Sequence, residues 1–180
     1  MLKKEILIGF GIVLLIIGVI FDKQIVNLVI SLRSVLLNNL MLGISFLGSA
    51  LFVFIATTLL IGFDKEGRKY IPALWLTLIV VLGFVTLLKY AVARPRPLVL
   101  ALQDRTTYSF PSGHAAVIFA PLLLIDKIYP RLKWVWLVLG VLVIFSRIYL
   151  GVHYMTDVIA GALFGYIISA IILRLVKVPF

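Results

Sequence analysis

The stretch Ser146–Asp157, reading SRIYLGVHYMTD, sets an arginine, a histidine and an aspartate at the mouth of an apolar segment. Ionisable groups are costly beside hydrocarbon, so each needs a reason to be there. His153 and Asp157 are four residues apart, a spacing that puts both side chains on one face of a helix. A carboxylate so placed accepts the proton of one imidazole nitrogen and leaves the other as a lone-pair nucleophile. Arg147, six residues before His153, offers a planar fork suited to phosphate. These groups make half of a phosphoryl-transfer site, and the other half must come from elsewhere in the chain.

Two further stretches hold the missing chemistry: KYAVARPRP, Lys89–Pro97, and YSFPSGHAA, which contains Pro111, Ser112, Gly113 and His114. A phosphoryl group in transfer spreads negative charge over three oxygens, so catalysis is mostly positioning and charge stabilisation. Lys89, Arg96 and Arg147 are three fixed cations able to supply what Mg²⁺ supplies elsewhere. A helix opened by Ser112 adds unpaired amides and the positive dipole end, and Gly113 admits close backbone approach. Singly, each residue has a plainer role. Lys89 reads as a snorkelling helix end, Ser112 as an N-cap, and either histidine as a structural one. Arg94 and Arg105 read as loop or lipid-headgroup contacts rather than catalytic groups. Together the motif residues make a site, because the plain roles would all have to coincide.

Composition says what must position them. The 180 residues are 63% hydrophobic, with a mean hydropathy of +1.21. This is an integral membrane composition. No linker or repeat divides the chain, so residues 1–180 are expected to form one domain. There is no cysteine, which removes disulfides and thiolate metal sites, and two histidines are too few for a histidine-rich metal centre. No cofactor and no metal are expected. The net charge of +10 lies between apolar runs, which favours membrane topology and anionic lipid over nucleic acid.

In order, apolar spans are expected at Ile6–Phe21, Met41–Phe63, Ile71–Leu88, Ser112–Asp126 with a kink at Pro121, Trp134–Tyr149 and Thr156–Leu173. The first, though it resembles a signal peptide, lacks a small-residue cleavage site and reads as a retained span. Between the first two, Gln24, Asn27, Ser31, Ser34 and Asn38 recur every three or four residues. They draw a polar stripe that predicts an extra amphipathic interfacial helix near residues 24–40, beside the substrate entrance. Gly161, Gly165 and Ser169, spaced by four, form a packing face. The expected fold is therefore all-α, a six-transmembrane-helix bundle. Ten of the seventeen basic residues fall on the side of the termini, which the positive-inside rule makes cytoplasmic. The three motif-bearing stretches then emerge together on the outer face of the cell membrane.

The motifs resemble the three signatures of the type 2 phosphatidic acid phosphatase superfamily of membrane lipid phosphatases: K-x6-R-P, P-S-G-H and S-R-x5-H-x3-D. Lys89, Arg96 and Pro97 fit the first, Pro111–His114 the second, and Ser146, Arg147, His153 and Asp157 the third. The resemblance implies a metal-independent phosphatase working through a phosphohistidine. His153 would be the nucleophile, Asp157 its orienting partner and His114 the general acid. Lys89, Arg96, Ser112, Gly113 and Arg147 would hold the phosphoryl oxygens. The expected partner is a lipid phosphate or diphosphate, with a polyprenyl (undecaprenyl-type) diphosphate leading and phosphatidylglycerol phosphate or phosphatidic acid as the alternative. A reading of another class is a non-catalytic anionic-lipid or phosphate binder or transporter, which explains the cations but not the paired His153 and Asp157.

Overall fold

The computed structural model describes residues 4–97, 101–103 and 107–178. Lys3 and Arg105, both counted in the charge argument, lie outside the described residues. Among the described residues all regular structure is helical: α1 (Lys4–Ser31), α2 (Val35–Leu47), α3 (Ala50–Phe63), a 3₁₀ turn (Gly67–Tyr70), α4 (Ile71–Val92), α5 (Gly113–Phe119), α6 (Leu122–Ile128), α7 (Leu132–Tyr149) and α8 (Met155–Leu175).

α1 corrects the expected interfacial helix over 24–40. It runs unbroken through residues 22–31, where the sequence suggested a span ending at Phe21. Asp22 does not end the helix because it faces inward, on a narrow buried seam with Gly11, Gly18, Val26 and Val29. That seam packs on α8. A Cβ on Gly18 would lie 2.8 Å from Thr156 Cγ2, and one on Gly11 would lie 2.7 Å from Leu163 Cδ2. The break comes later, where Ser34 turns extended and its hydroxyl accepts from the Leu37 amide to open α2. The polar stripe is thus divided. Gln24, Asn27 and Ser31 sit on the exposed side of α1. Asn38, on α2, accepts from the Tyr149 hydroxyl at 2.9 Å.

The segment expected as the second span bends by 59° between α2 and α3. Gly48 marks the corner, where any side chain would strike Val143, and Ser49 caps α3 through the Phe52 amide. The segment expected as the fourth span is two short helices interrupted at Ala120–Pro121, since proline lacks the amide that would continue the ladder. Residues 115–125 are buried throughout, so this broken helix is the centre of the bundle. Four stretches (11–31, 67–92, 132–149, 155–175) are long and apolar enough to cross a bilayer, and the bent α2–α3 pair makes up to five. The expected six is not reached by this measure, because α5 and α6 are seven residues each.

Backbone meets backbone where α5 packs on α8. A Cβ on Gly161 would lie 2.4 Å from the Ser112 carbonyl oxygen, and one on Gly165 would lie 2.0 Å from that of Ala116. The glycine face read from the sequence is therefore packing, and it brings the start of α5 against the start of α8.

Candidate active site

The turn between α7 and α8 aims the principal histidine. α7 ends with Gly151 at φ 72°, its amide bonded to the Ile148 carbonyl at 2.9 Å, and the Val152 amide bonded to that of Arg147 at 3.3 Å. This pair of bonds is a Schellman ending, and glycine suits its left-handed residue. His153 follows directly and is 2% exposed.

His153 and Asp157 do meet, but not as successive turns of one helix. α8 begins at Met155 with Tyr154 as its N-cap, so His153 precedes the helix and Asp157 is its third residue. Asp157 Oδ2 accepts the Tyr154 amide at 2.9 Å, as a third-position acid commonly does. The same oxygen lies 3.5 Å from His153 Nδ1. Nδ1 is buried without a hydrogen-bond partner, so a contraction of about half an ångström would close this bond. On the other side of the ring, Arg96 Nη1 is 3.3 Å from Nε2. A guanidinium only donates, so Nε2 presents its lone pair to Arg96 and the ring proton faces Asp157. Burial, then the Arg147, Arg96 and Lys89 charges, hold the His153 pKa well below its usual 6.5. A lowered pKa favours the neutral ring, the form in which one nitrogen carries a lone pair.

The cations come from three elements. Lys89 lies in the last turn of α4 and donates to the Tyr108 carbonyl at 2.7 Å. Arg96 is buried and donates to the carbonyls of Thr107, Val152 and Tyr108 at 2.6, 2.6 and 3.0 Å. Arg147, in the last turn of α7 and 1% exposed, donates through Nη1 to Ser45 Oγ and to Gln103 Oε1, the latter at 2.9 Å.

Ser112 occupies the N-cap position of α5, but its hydroxyl makes no cap bond and is buried without a partner. Its amide donates to the Asp157 carbonyl at 2.9 Å, which ties the start of α5 to the first turn of α8. Gly113 and the half-buried His114 are the first two residues of α5. The charges of Lys89, Arg96 and Arg147 thus all act on the His153 ring, and the start of α5, with Ser112, Gly113 and His114, is bonded to the first turn of α8 through Asp157.

Several residues of this cluster escaped the sequence reading. Arg94 is not a loose headgroup contact. Its Nη1 donates to Asp157 Oδ1 at 2.7 Å and Thr156 Oγ1 at 2.6 Å, and its Nη2 donates to Asp22 Oδ2 at 2.8 Å. Its guanidinium also stacks 4.1 Å over the Tyr154 ring. Asp22 lies just beyond the span expected to end at Phe21 and takes no role from its spacing, although the cost of an acid beside hydrocarbon applies to it as to Asp157. Ser45 and Gln103 carried no signal, because polar residues on a helix or in a loop have no spacing that names a distant arginine. Among the described residues no group of three or more His, Asp or Glu side chains is placed to hold a metal ion.

Residues 69–179 match the sequence profile of the PAP2 superfamily. A protein of Sulfolobus acidocaldarius named undecaprenyl-diphosphatase is 33% identical over 158 residues, covering 83% of this chain and 75% of that protein. Phosphatidylglycerophosphatase B of Bacillus subtilis is 32% identical over 164 residues, covering 82% and 79%. The crystal structure of a transmembrane PAP2-type phosphatidylglycerolphosphate phosphatase from Bacillus subtilis superposes with a TM-score of 0.79 at 25% identity, covering 98% of this chain and 97% of that one.

Proposed function

The chain belongs to the PAP2 superfamily, and from that premise we propose that it removes the terminal phosphate from a membrane lipid phosphate or diphosphate through a phosphohistidine. It is a lipid phosphate hydrolase of a multi-pass membrane fold. The observation that supports the mechanism is the buried His153 ring set between Asp157 Oδ2, 3.5 Å from Nδ1, and Arg96 Nη1, 3.3 Å from Nε2.

His153 Nε2 attacks phosphorus, the bond from phosphorus to the leaving oxygen breaks, and His114 gives that oxygen its proton. Asp157 steadies the Nδ1 proton as the ring gains charge. The Arg96 fork, released from Nε2, takes up a phosphoryl oxygen together with Lys89, Arg147 and the unpartnered Ser112 hydroxyl, next to the Gly113 amide. Water then attacks the phosphohistidine, His114 takes its proton, the N–P bond breaks and inorganic phosphate leaves. Nothing in this sequence requires a metal.

A polyprenyl diphosphate is the leading substrate, supported by likeness to the Sulfolobus protein over most of both chains. A phosphorylated glycerolipid is the second reading, supported by the whole-chain superposition on the Bacillus protein. The broken α5–α6 helix and the bent α2–α3 pair would complete six crossings of one domain, with cytoplasmic termini and the site facing out. The long row of exposed apolar side chains on α1 suits a lipid-facing position.

The experiment is phosphate release by purified protein in detergent, with chelator, from a polyprenyl diphosphate, phosphatidylglycerol phosphate and phosphatidic acid. One of the three is expected to be cleaved, and His153→Ala to lose at least about three orders of magnitude. Quenching in alkaline denaturant should trap a phosphoenzyme in the wild type that is stable to base and lost on acidification. Tight lipid binding without release would return the protein to the binding or transport class.

A further inference from the structure

Asp22 lies on α1, outside the 69–179 stretch that matches the family, yet it is 6% exposed and reaches the first turn of α8. Its Oδ1 accepts the Thr156 amide at 3.0 Å. That amide is among the first four of α8, which have no partner within the helix, so Asp22 caps α8 from another element. Its Oδ2 accepts both the Thr156 hydroxyl and Arg94 Nη2, the latter at 2.8 Å. Gly18, one turn earlier on the same seam, allows this approach by leaving Thr156 Cγ2 room.

The consequence falls on Asp157. Arg94 offers it one nitrogen only: Nη1 takes Oδ1 at 2.7 Å, while Nη2 is held by Asp22. Asp157 Oδ2 is thereby left to face the Tyr154 amide and His153 Nδ1. Without the Asp22 carboxylate, a guanidinium prefers the two-pronged grip on a single carboxylate, and it would draw on both oxygens of Asp157. We infer that Asp22 is a positioning residue for the reaction. It holds Arg94 to one oxygen of Asp157 so that the other stays aligned on His153. The inference rests on the reading of His153 as nucleophile, and it extends the working site to the N-terminal helix.

The test measures kcat and KM on whichever of the three lipids the wild type cleaves, for D22N, R94Q and the D22N/R94Q double variant, with His153→Ala as the inactive reference. D22N should lower kcat by about 10- to 100-fold, the scale of a misplacement near 1 Å, with KM within about twofold. The double variant should be no slower than the slower single one, because Asp22 acts through Arg94. A purely structural carboxylate would lower the melting temperature and the active fraction without a change in kcat per folded molecule, and its loss would multiply with that of R94Q. Should D22N not fold, Thr156→Val removes the hydroxyl that Asp22 and Arg94 share and carries the same kcat expectation. Wild-type kcat in D22N or Thr156→Val, beside an active wild type and an inactive His153→Ala, would overturn this inference alone. A wild type that cleaves none of the lipids would overturn the proposed function and the inference with it.

Discussion

Replacing Gly161 by alanine adds one methyl at the seam between α5 and α8, and its effect follows from distances. The new carbon would lie 2.4 Å from the Ser112 carbonyl oxygen and 3.2 Å from Ala115 Cβ. Carbon and carbonyl oxygen settle at about 3.3–3.6 Å, so the backbones must part by about 1 Å. The atom that must yield is main chain, in the residue whose amide bonds the Asp157 carbonyl and whose hydroxyl is buried without a partner. Overpacking of this kind costs about 1–3 kcal/mol of stability, and a 1 Å shift of a catalytic group costs about 10²-fold in rate. Gly165→Ala is the comparison. It makes a closer clash, 2.0 Å to the Ala116 oxygen, one helical turn further from Ser112. Thermal unfolding in detergent should fall for both variants. Phosphate release per folded molecule should fall about 100-fold for Gly161→Ala and much less for Gly165→Ala. Equal loss of kcat in the two variants, or an unchanged Gly161→Ala enzyme, would refute the argument that this seam sets the position of Ser112.

Arg147→Lys keeps the charge but loses the planar guanidinium, whose Nη1 reaches both Ser45 and Gln103, so kcat/KM should fall by about 10-fold or more, measured by phosphate release. The pKa of His153 lies well below 6.5, so its neutral form survives mild acid. The acid limb of kcat/KM should therefore lie below pH 6.5 in a pH–rate profile. The same shift acts on stability. The unfolded ring takes a proton first, so the contribution is complete above about pH 6.5 and is lost as pH falls toward the folded value. His153→Gln should flatten that part of a melting temperature against pH curve. Tyr149→Phe removes the bonds to Asn38 and the Ser34 amide, and should cost about 0.5–1.5 kcal/mol, read as a lower melting temperature.

The residues of the candidate site were legible because their spacings carry chemistry: Lys89, Arg96, Ser112, His114, Arg147, His153 and Asp157 are few, polar and set in apolar sequence. The glycine face at Gly161 and Gly165 was legible for the same reason. Helix breaks were less so. Asp22 and Lys23 resemble a membrane boundary in composition, whereas α1 continues because Asp22 finds partners 134 residues away. No local pattern reports such a partner. The bend at Gly48 and the interruption at Pro121 rest on Val143 and on the missing proline amide. Only the second is written in the residue itself. His153 and Asp157 approach to 3.5 Å, as a spacing of four suggests, but His153 precedes α8 rather than sharing its face with Asp157. The sequence interval fits a helix face and an N-terminal cap equally well.

The connection from α7 to α8 is only residues 150–154, and four of its five main-chain amides are tied. Leu150 bonds Ser146 at 2.9 Å, Gly151 bonds Ile148 at 2.9 Å, Val152 bonds Arg147 at 3.3 Å, and Tyr154 bonds the Asp157 side chain at 2.9 Å. His153 therefore stands on a fixed post rather than a hinge. In a phosphatase built this way the travelling partner is the lipid, which has to slide sideways to the post and away again. The viscosity of the surrounding bilayer then becomes part of the turnover rate.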